Sequence, residues 1–165
     1  MTESTLLFRR HVRHELVVRH LDVARVRAVT SRIVRVTLTG ELAGFAADGP
    51  TDHLKVYFPD PATGRVATPG FHAGGIGLSA PGRVIARDYT PLDFRADEAE
   101  LDLDLVVHGD AGPASVWAGH AAAGDRLAVA GPKSSRLVPD ALTGLVLVVD
   151  ETAFPAASRW LRLTP

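Results

Sequence analysis

The sequence predicts a mainly β fold: a small antiparallel barrel with one helix, followed by the first β-α unit of a second, α/β domain. Three observations predict it. Short segments of alternating apolar and polar residues are divided by turn-rich links. One Ala-rich stretch between Pro113 and Gly124 carries helix punctuation at both ends. Beyond residue 140 the apolar pattern turns from alternating to continuous.

In chain order, "LDVARVRAVT" sets Val23, Val26 and Val29 in a roughly alternating strand. "RIVRVTLTG" does the same with Val34, Val36 and Leu38. The short Thr30-Ser31-Arg32 link predicts an antiparallel pair. "HLKVYFP" is a third strand, stopped by Pro59. Residues 59–82 are rich in Pro and Gly and predict a long connection with room for a short hairpin. "RVIARDYTPLDF" is a fourth strand. "ELDLDLVVHG" is the fifth, alternating strictly through Leu101, Leu103, Leu105 and Val107. A helix starts at Pro113 and stops near Gly124, and "RLAVAGP" is the sixth strand. The continuous run Leu145–Val149 reads as a strand buried on both faces, and a helix follows from about Phe154-Pro155. The expected boundaries are 1–140 for the barrel and 141–165 for the start of the second domain.

Composition limits the function classes. With 46% hydrophobic and 22% charged residues and a formal net charge of −1, the chain suits a soluble globular protein rather than a general nucleic-acid binder. Residues 1–40 hold eight arginines and residues 93–110 seven acids. The arginines read as interleaved with strand residues, not as an RNA or membrane arm. The absence of cysteine excludes disulfides, thiolate catalysis and thiolate metal sites. The seven histidines form no tight ligand pair, so no metal is expected. The N-terminal stretch holds no apolar run of signal-peptide or membrane-span length, so a cytoplasmic location without a membrane partner is the default expectation.

Two stretches carry chemistry. In "RDYTPLDF", Arg87 and Tyr89 lie two apart and so point to one face of a strand. A guanidinium fork matches phosphate oxygens, a tyrosine ring can lie against a flat heteroaromatic, and Thr90 can hydrogen-bond a ring edge. In "HGDAGPASVWA", Gly112 permits close approach at a helix start. Pro113 follows as a helix starter, and then Ala114 and Ser115 offer N–H groups, with a hydroxyl on Ser115, suited to an anion. Most Gly-Pro helix starts bind no anion, and surface strands often carry Arg and Tyr. Set opposite one another, the two stretches fit a flavin nucleotide.

The sequence resembles the siderophore-interacting protein family, the flavin-dependent ferric-siderophore reductases related to ferredoxin–NADP reductases. The resemblance runs through nearly the whole chain. It is carried by "VRHELVVRHLDVARV", "RIVRVTLTGELAGF", "DHLKVYFP", "RDYTPLDF", "LDLDLVVHGDAGPASVWAGHAAAGDRLAVAGPKSS" and "DETAFPAASRWL". It implies a six-stranded antiparallel Greek-key barrel that binds FAD, then a nucleotide-binding α/β domain of which this chain holds only the start.

The resemblance also implies roles for residues. Arg87 would face the pyrophosphate, Tyr89 the isoalloxazine, and Thr90 the reactive ring. Val107 and His108 would flank the nucleotide, and Gly112, Pro113, Ala114 and Ser115 would hold its phosphates. Thr152, in "DET", would lie near the far side of the ring. Lys55 and Lys133 flank this face and could attract an anionic ferric siderophore. Trp117 and Trp160 read as packing residues.

The implied reaction takes hydride from NAD(P)H to flavin and passes single electrons to chelated Fe(III), with the cofactor carrying the chemistry and no catalytic side chain. Two alternatives stay open: a flavin-binding module that needs a separate reductase or partner chain, and a barrel that binds no flavin. The sequence departs from the family pattern at Leu92 and Asp93, where a basic residue is common, and at Val149, where glycine usually precedes "DET".

Overall fold

A computed structural model describes residues 9–72, 75–79, 82–108 and 112–164. Most of the arginine-rich start is therefore described, and residues 1–8 lie outside. In chain order the strands are β1 (His11–Arg13), β2 (Val18–Ala28), β3 (Ile33–Gly40), β4 (Leu54–Phe58), β5 (Pro69–His72), β6 (Gly75–Leu78), β7 (Ile85–Tyr89), β8 (Pro91–Arg95), β9 (Glu100–Val106), β10 (Arg126–Ala130) and β11 (Ser134–Arg136). Helix α1 spans Pro113–His120 and α2 spans Phe154–Leu163, the latter preceded by a 3-10 turn, Glu151–Ala153.

Seven strands form one sheet in the order β7-β4-β10-β2-β3-β9-β8, with every pair antiparallel. Its two edge strands, β7 and β8, are consecutive in the chain and separated by Thr90 alone. One residue cannot span an open sheet of seven strands about 4.8 Å apart. The sheet therefore curls until its edges meet, and Thr90 sits on the seam. The predicted fourth strand, "RVIARDYTPLDF", is thus two strands. Counted as one it gives the expected six; divided at Thr90 it gives seven.

The alternation in β9 works as its sequence requires. Leu101, Leu103 and Leu105 are fully buried among Leu21, Val36, Leu38, Leu54, Val56 and Phe58. The acids alternate to the opposite face: Asp102 is buried and takes Thr37 and Arg95 of β8, while Asp104 and Glu100 meet arginines of the N-terminal half. Arg35 forks onto Asp104 at 2.7 and 2.9 Å, and Arg25 onto Glu100 at 2.5 and 2.6 Å. The uneven charge distribution is thus two faces of one set of cross-strand pairs. The long connection carries the short hairpin β5–β6.

Helix α1 covers one end of the barrel. Ala114 and Ala118 enter the core, and Trp117 packs edge-on against Phe58 with centroids 5.4 Å apart. The helix stops at His120, not near Gly124 as its glycine suggested. Gly124 instead serves the next turn, at φ +92°, and donates its N–H to the Val23 carbonyl at 2.8 Å.

The last segment departs further from expectation. Leu145–Val149 pairs with no strand among the described residues, and Val146 and Val148 are 89% and 93% exposed. A strand apolar on both faces needs neighbours on both sides. The helix after it does form and docks on the barrel. Trp160 lies under the Arg9 guanidinium, 4.9 Å from the ring centroid. No helix among the described residues is long and apolar enough to cross a membrane.

Candidate functional site

The β4–β7 register pairs Leu54 with Tyr89, Lys55 with Asp88 and Val56 with Arg87. Arg87 and Tyr89 therefore share a face with the buried Ile85, while Asp88 points with Lys55 to the other. Tyr89 is half-buried against the core, edge-on to Phe58 at 6.0 Å. Burial raises its phenol above the ordinary value, with Arg87 acting weakly the other way, so the hydroxyl stays protonated at neutral pH. Arg87 is exposed and, among the described residues, donates only to the Ala86 carbonyl, at 2.7 Å. Among the described residues no carboxylate lies within ion-pair distance of it.

These residues open onto a cleft of about 390 Å³. Arg87, Asp88, Tyr89 and Thr90 form one wall. Ala114 and Ser115, in the first turn of α1, form another, and Thr152 and Pro155 a third. His53, Asp104, Val106 and His108 complete the lining. Gly112 stands at φ +102°, a conformation that favours glycine. A Cβ there would meet nothing within 4 Å, so the backbone angle, not crowding, favours glycine. The Ser115 hydroxyl oxygen accepts the His108 N–H at 2.8 Å, tying the strand end to the helix start. Asp104 brings no unbalanced charge, since Arg35 forks onto it.

Seven of the predicted positions therefore meet in one cleft: Arg87, Tyr89, Thr90, His108, Ala114, Ser115 and Thr152. Gly112 and Pro113 shape the helix start without lining the cleft. Val107 does not line it either. It continues the inward series of β9 and packs on the core, whereas Val106 continues the outward series of Asp102 and Asp104. The strict alternation could have selected Asp104, Val106 and His108 as one face. His53 could not be found that way, because only the β4–β7 register brings it beside Thr90.

A second cavity, of about 630 Å³, lies on the other face of the sheet. Lys55, Lys133, His20 and His53 supply its basic groups, and Leu16, Val18, Tyr57 and Ala130 apolar surface. The two lysines singled out from sequence are thus brought together. Lys55 is already paired with Asp88, Nζ to Oδ1 at 2.7 Å. His53 and Asp88 line both cavities, so the two share a wall. Where the sequence lacks a basic residue, Leu92 is buried and Asp93 pairs with Arg95 and with Arg162 of α2, at 3.1 and 3.2 Å. A cation reaches this point from another element. Among the described residues no group of His, Asp and Glu could hold a metal.

A family model described as "Siderophore-interacting FAD-binding domain" matches residues 22–136. The NADPH-dependent ferric-chelate reductase of Escherichia coli is 38% identical over 159 residues, covering 96% of this chain and 61% of that protein. The ferric vibriobactin reductase ViuB of Vibrio cholerae is 36% identical over 148 residues, covering 89% and 54%. Among solved structures, a siderophore utilization protein from T. fusca superposes with a TM-score of 0.84 at 42% identity, over 95% of this chain and 60% of that one. The siderophore-interacting protein SipS from Aeromonas hydrophila gives 0.65 at 32% identity, over 93% and 55%. The chain thus spans little more than half the length of these relatives.

Proposed function

The chain belongs to the siderophore-interacting FAD-binding domain family, and from that premise we propose that it is the flavin-holding part of a ferric-siderophore reductase. The observation that carries this reading is the pairing of two cavities across the shared wall of His53 and Asp88. One is built for a planar anionic nucleotide and the other carries lysines for an anionic chelate.

The residues of the first cleft fit FAD. Arg87 has no carboxylate partner among the described residues and faces the same space as the α1 N-terminus, where helix N–H groups and the dipole favour negative charge. We assign Arg87, Ala114 and Ser115 to the phosphates, with Gly112 and Pro113 setting the helix start. Tyr89 lies against the ring system, Thr90 at its edge and Thr152 on its far side. His108 flanks the nucleotide, while Val107 packs on the core and serves only to place its neighbours. When bound, FAD supplies acceptance of two electrons from NAD(P)H and their release one at a time to Fe(III). The protein's part is to hold that group beside a cationic pocket. Tyr89 is kept neutral by burial, and no side chain here is asked to move a proton.

In the second cavity Lys55 and Lys133 draw in the ferric siderophore. Reduction loosens it because hard oxygen ligands hold the less charged ion more weakly. We read residues 1–140 as the cofactor barrel and 141–165 as the opening of a nicotinamide-binding unit, and the location as cytoplasmic. One observation favours a second reading, flavin retention without turnover by these 165 residues alone: the run 145–149 pairs with no strand among the described residues. Turnover would then need a separate reductase or partner chain.

The test is anaerobic mixing of the FAD-loaded protein with NADPH or NADH, then with a ferric siderophore, while flavin absorbance and Fe(II) are followed. Bleaching by the nicotinamide and recovery with release of Fe(II) support the reductase. Recovery only after chemical reduction supports the second reading. No oxidation of reduced flavin by any ferric chelate counts against both.

A further inference from the structure

Helix α2 is docked the wrong way round for an ordinary amphipathic helix. Its large apolar residues Phe154, Leu161 and Leu163 are 49%, 70% and 42% exposed, while Arg159 is buried, only 6% exposed. Arg159 reaches back across the chain to two backbone carbonyls. Nε and Nη2 both donate to Gly49 O, at 3.2 and 2.8 Å, and Nη2 also donates to Ala47 O. No carboxylate lies within ion-pair distance of it among the described residues. Burial draws its pKa below the ordinary arginine value, with the nearby Asp52 carboxylate acting in the other direction.

A desolvated guanidinium is a costly way to attach a helix that apolar contacts could attach. What it adds is direction: a planar fork on fixed carbonyls sets both the rotation and the height of the helix. The receiving loop is itself rigidly held. Asp52 accepts the Gly49 N–H at 2.9 Å and the hydroxyl proton of the fully buried Ser135 at 2.5 Å. At Gly49 a Cβ would come within 2.6 Å of the Arg136 carbonyl oxygen, so the loop sits tight on β11. The N-terminal end of α2 carries Pro155 and, one turn before it, Thr152, and both line the first cleft.

We infer that Arg159 is a positioning residue of that cleft. By its hydrogen bonds to Ala47 and Gly49 it fixes where α2 begins, and so where Thr152 and Pro155 stand against the bound flavin. This rests on the flavin reading of the cleft. It assigns Arg159 no contact with the cofactor, since the guanidinium is occupied by the 47–49 loop. Removing it lets the α2 wall drift while β7 and α1 keep their places.

The test compares wild type with Arg159→Met, Arg159→Lys, Thr152→Val and the Arg159→Met/Thr152→Val double variant. FAD affinity is read by flavin fluorescence, and the geometry around the ring by visible circular dichroism of the bound flavin. Arg159→Met weakens FAD binding about fivefold, as for one hydrogen bond lost at the cleft, and alters the flavin dichroism. Arg159→Lys, which keeps the cation but loses the planar fork, falls between. The double variant is no worse than the weaker-binding single one, because both act through one contact. Should Arg159→Met fail to fold, the lysine variant still carries both readouts. Unchanged affinity and dichroism in a folded Arg159 variant overturn the inference, and so do additive losses in the double variant. A wild-type protein that binds no FAD overturns the flavin reading and the inference with it.

Discussion

Arg87 is the residue on which the cofactor assignment turns most heavily. It is exposed, has no carboxylate partner among the described residues, and shares a cleft with the α1 N-terminus. A charge-assisted contact to phosphate contributes roughly 1.5–3 kcal/mol. Arg87→Ala should therefore lower FAD affinity about 10- to 100-fold in a fluorescence titration, with the fold intact by far-ultraviolet dichroism. Lys55 presents a different case. It is half-exposed and already paired with Asp88, so under the proposed reading a chelate must compete for it. Lys55→Gln should raise the KM for an anionic ferric chelate a few-fold, an effect that fades at high salt. Asp88→Asn should act oppositely by leaving Lys55 unpaired. Equal responses from neutral and anionic chelates would remove the electrostatic role. At this scale the sequence was informative wherever a period of two or a helix start fixed direction: Arg87 with Tyr89, and Ala114 with Ser115. His53 was silent, because its place in both cavities depends on a strand pairing more than 30 residues away in the chain.

Strands β8 and β9 show how elements are held as well as where they lie. Arg95 of β8 bonds Glu98, Glu100 and Asp102 and lies 3.1 Å from Asp93, and these partners raise its pKa. Glu100 is pulled down to about 2 by the Arg25 and Arg95 hydrogen bonds. Burial pushes Asp102 up, but the bonds from Arg95 and Thr37 outweigh it and leave it lowered. Carboxylates with depressed folded-state pKa values stabilise the fold above their unfolded pKa and lose that contribution as pH falls through the folded one. Thermal stability should therefore drop between about pH 4.5 and 2, and Arg95→Met should flatten the drop while lowering stability at neutral pH. An unchanged pH profile in that variant would show the network to be neutral. The core of the same strand carries more weight: Leu103→Ala, at a fully buried site, should cost about 2–5 kcal/mol in denaturant unfolding. The strict alternation made β9 legible from sequence. The split of "RVIARDYTPLDF" was not, since a run that leaves one edge of a curled sheet and enters the other keeps its local pattern across the seam.

At the scale of the whole molecule, closure explains the site. Thr90 joins the two edges of the sheet, which sets β7 beside the α1 end of β9 and opens the cleft between them. The barrel and its helix were legible because each segment has its own period and punctuation, and the family through the resemblance carried by the quoted stretches. The C-terminal unit was half legible: the helix after Glu151 formed, while the run before it has no pairing partner among the described residues. Nor could the sequence show that α2 binds the barrel by arginines rather than by its apolar face, since helical periodicity alone favours the opposite docking. The most direct test of the cleft's assignment is titration of the flavin-free protein with FAD, followed by flavin fluorescence and visible absorption, for wild type and for the Arg87→Ala/Tyr89→Ala double variant. Saturable one-to-one binding by wild type, with at least a tenfold loss in the folded double variant, is the predicted result. Equal binding by both proteins, or none by wild type, would contradict it.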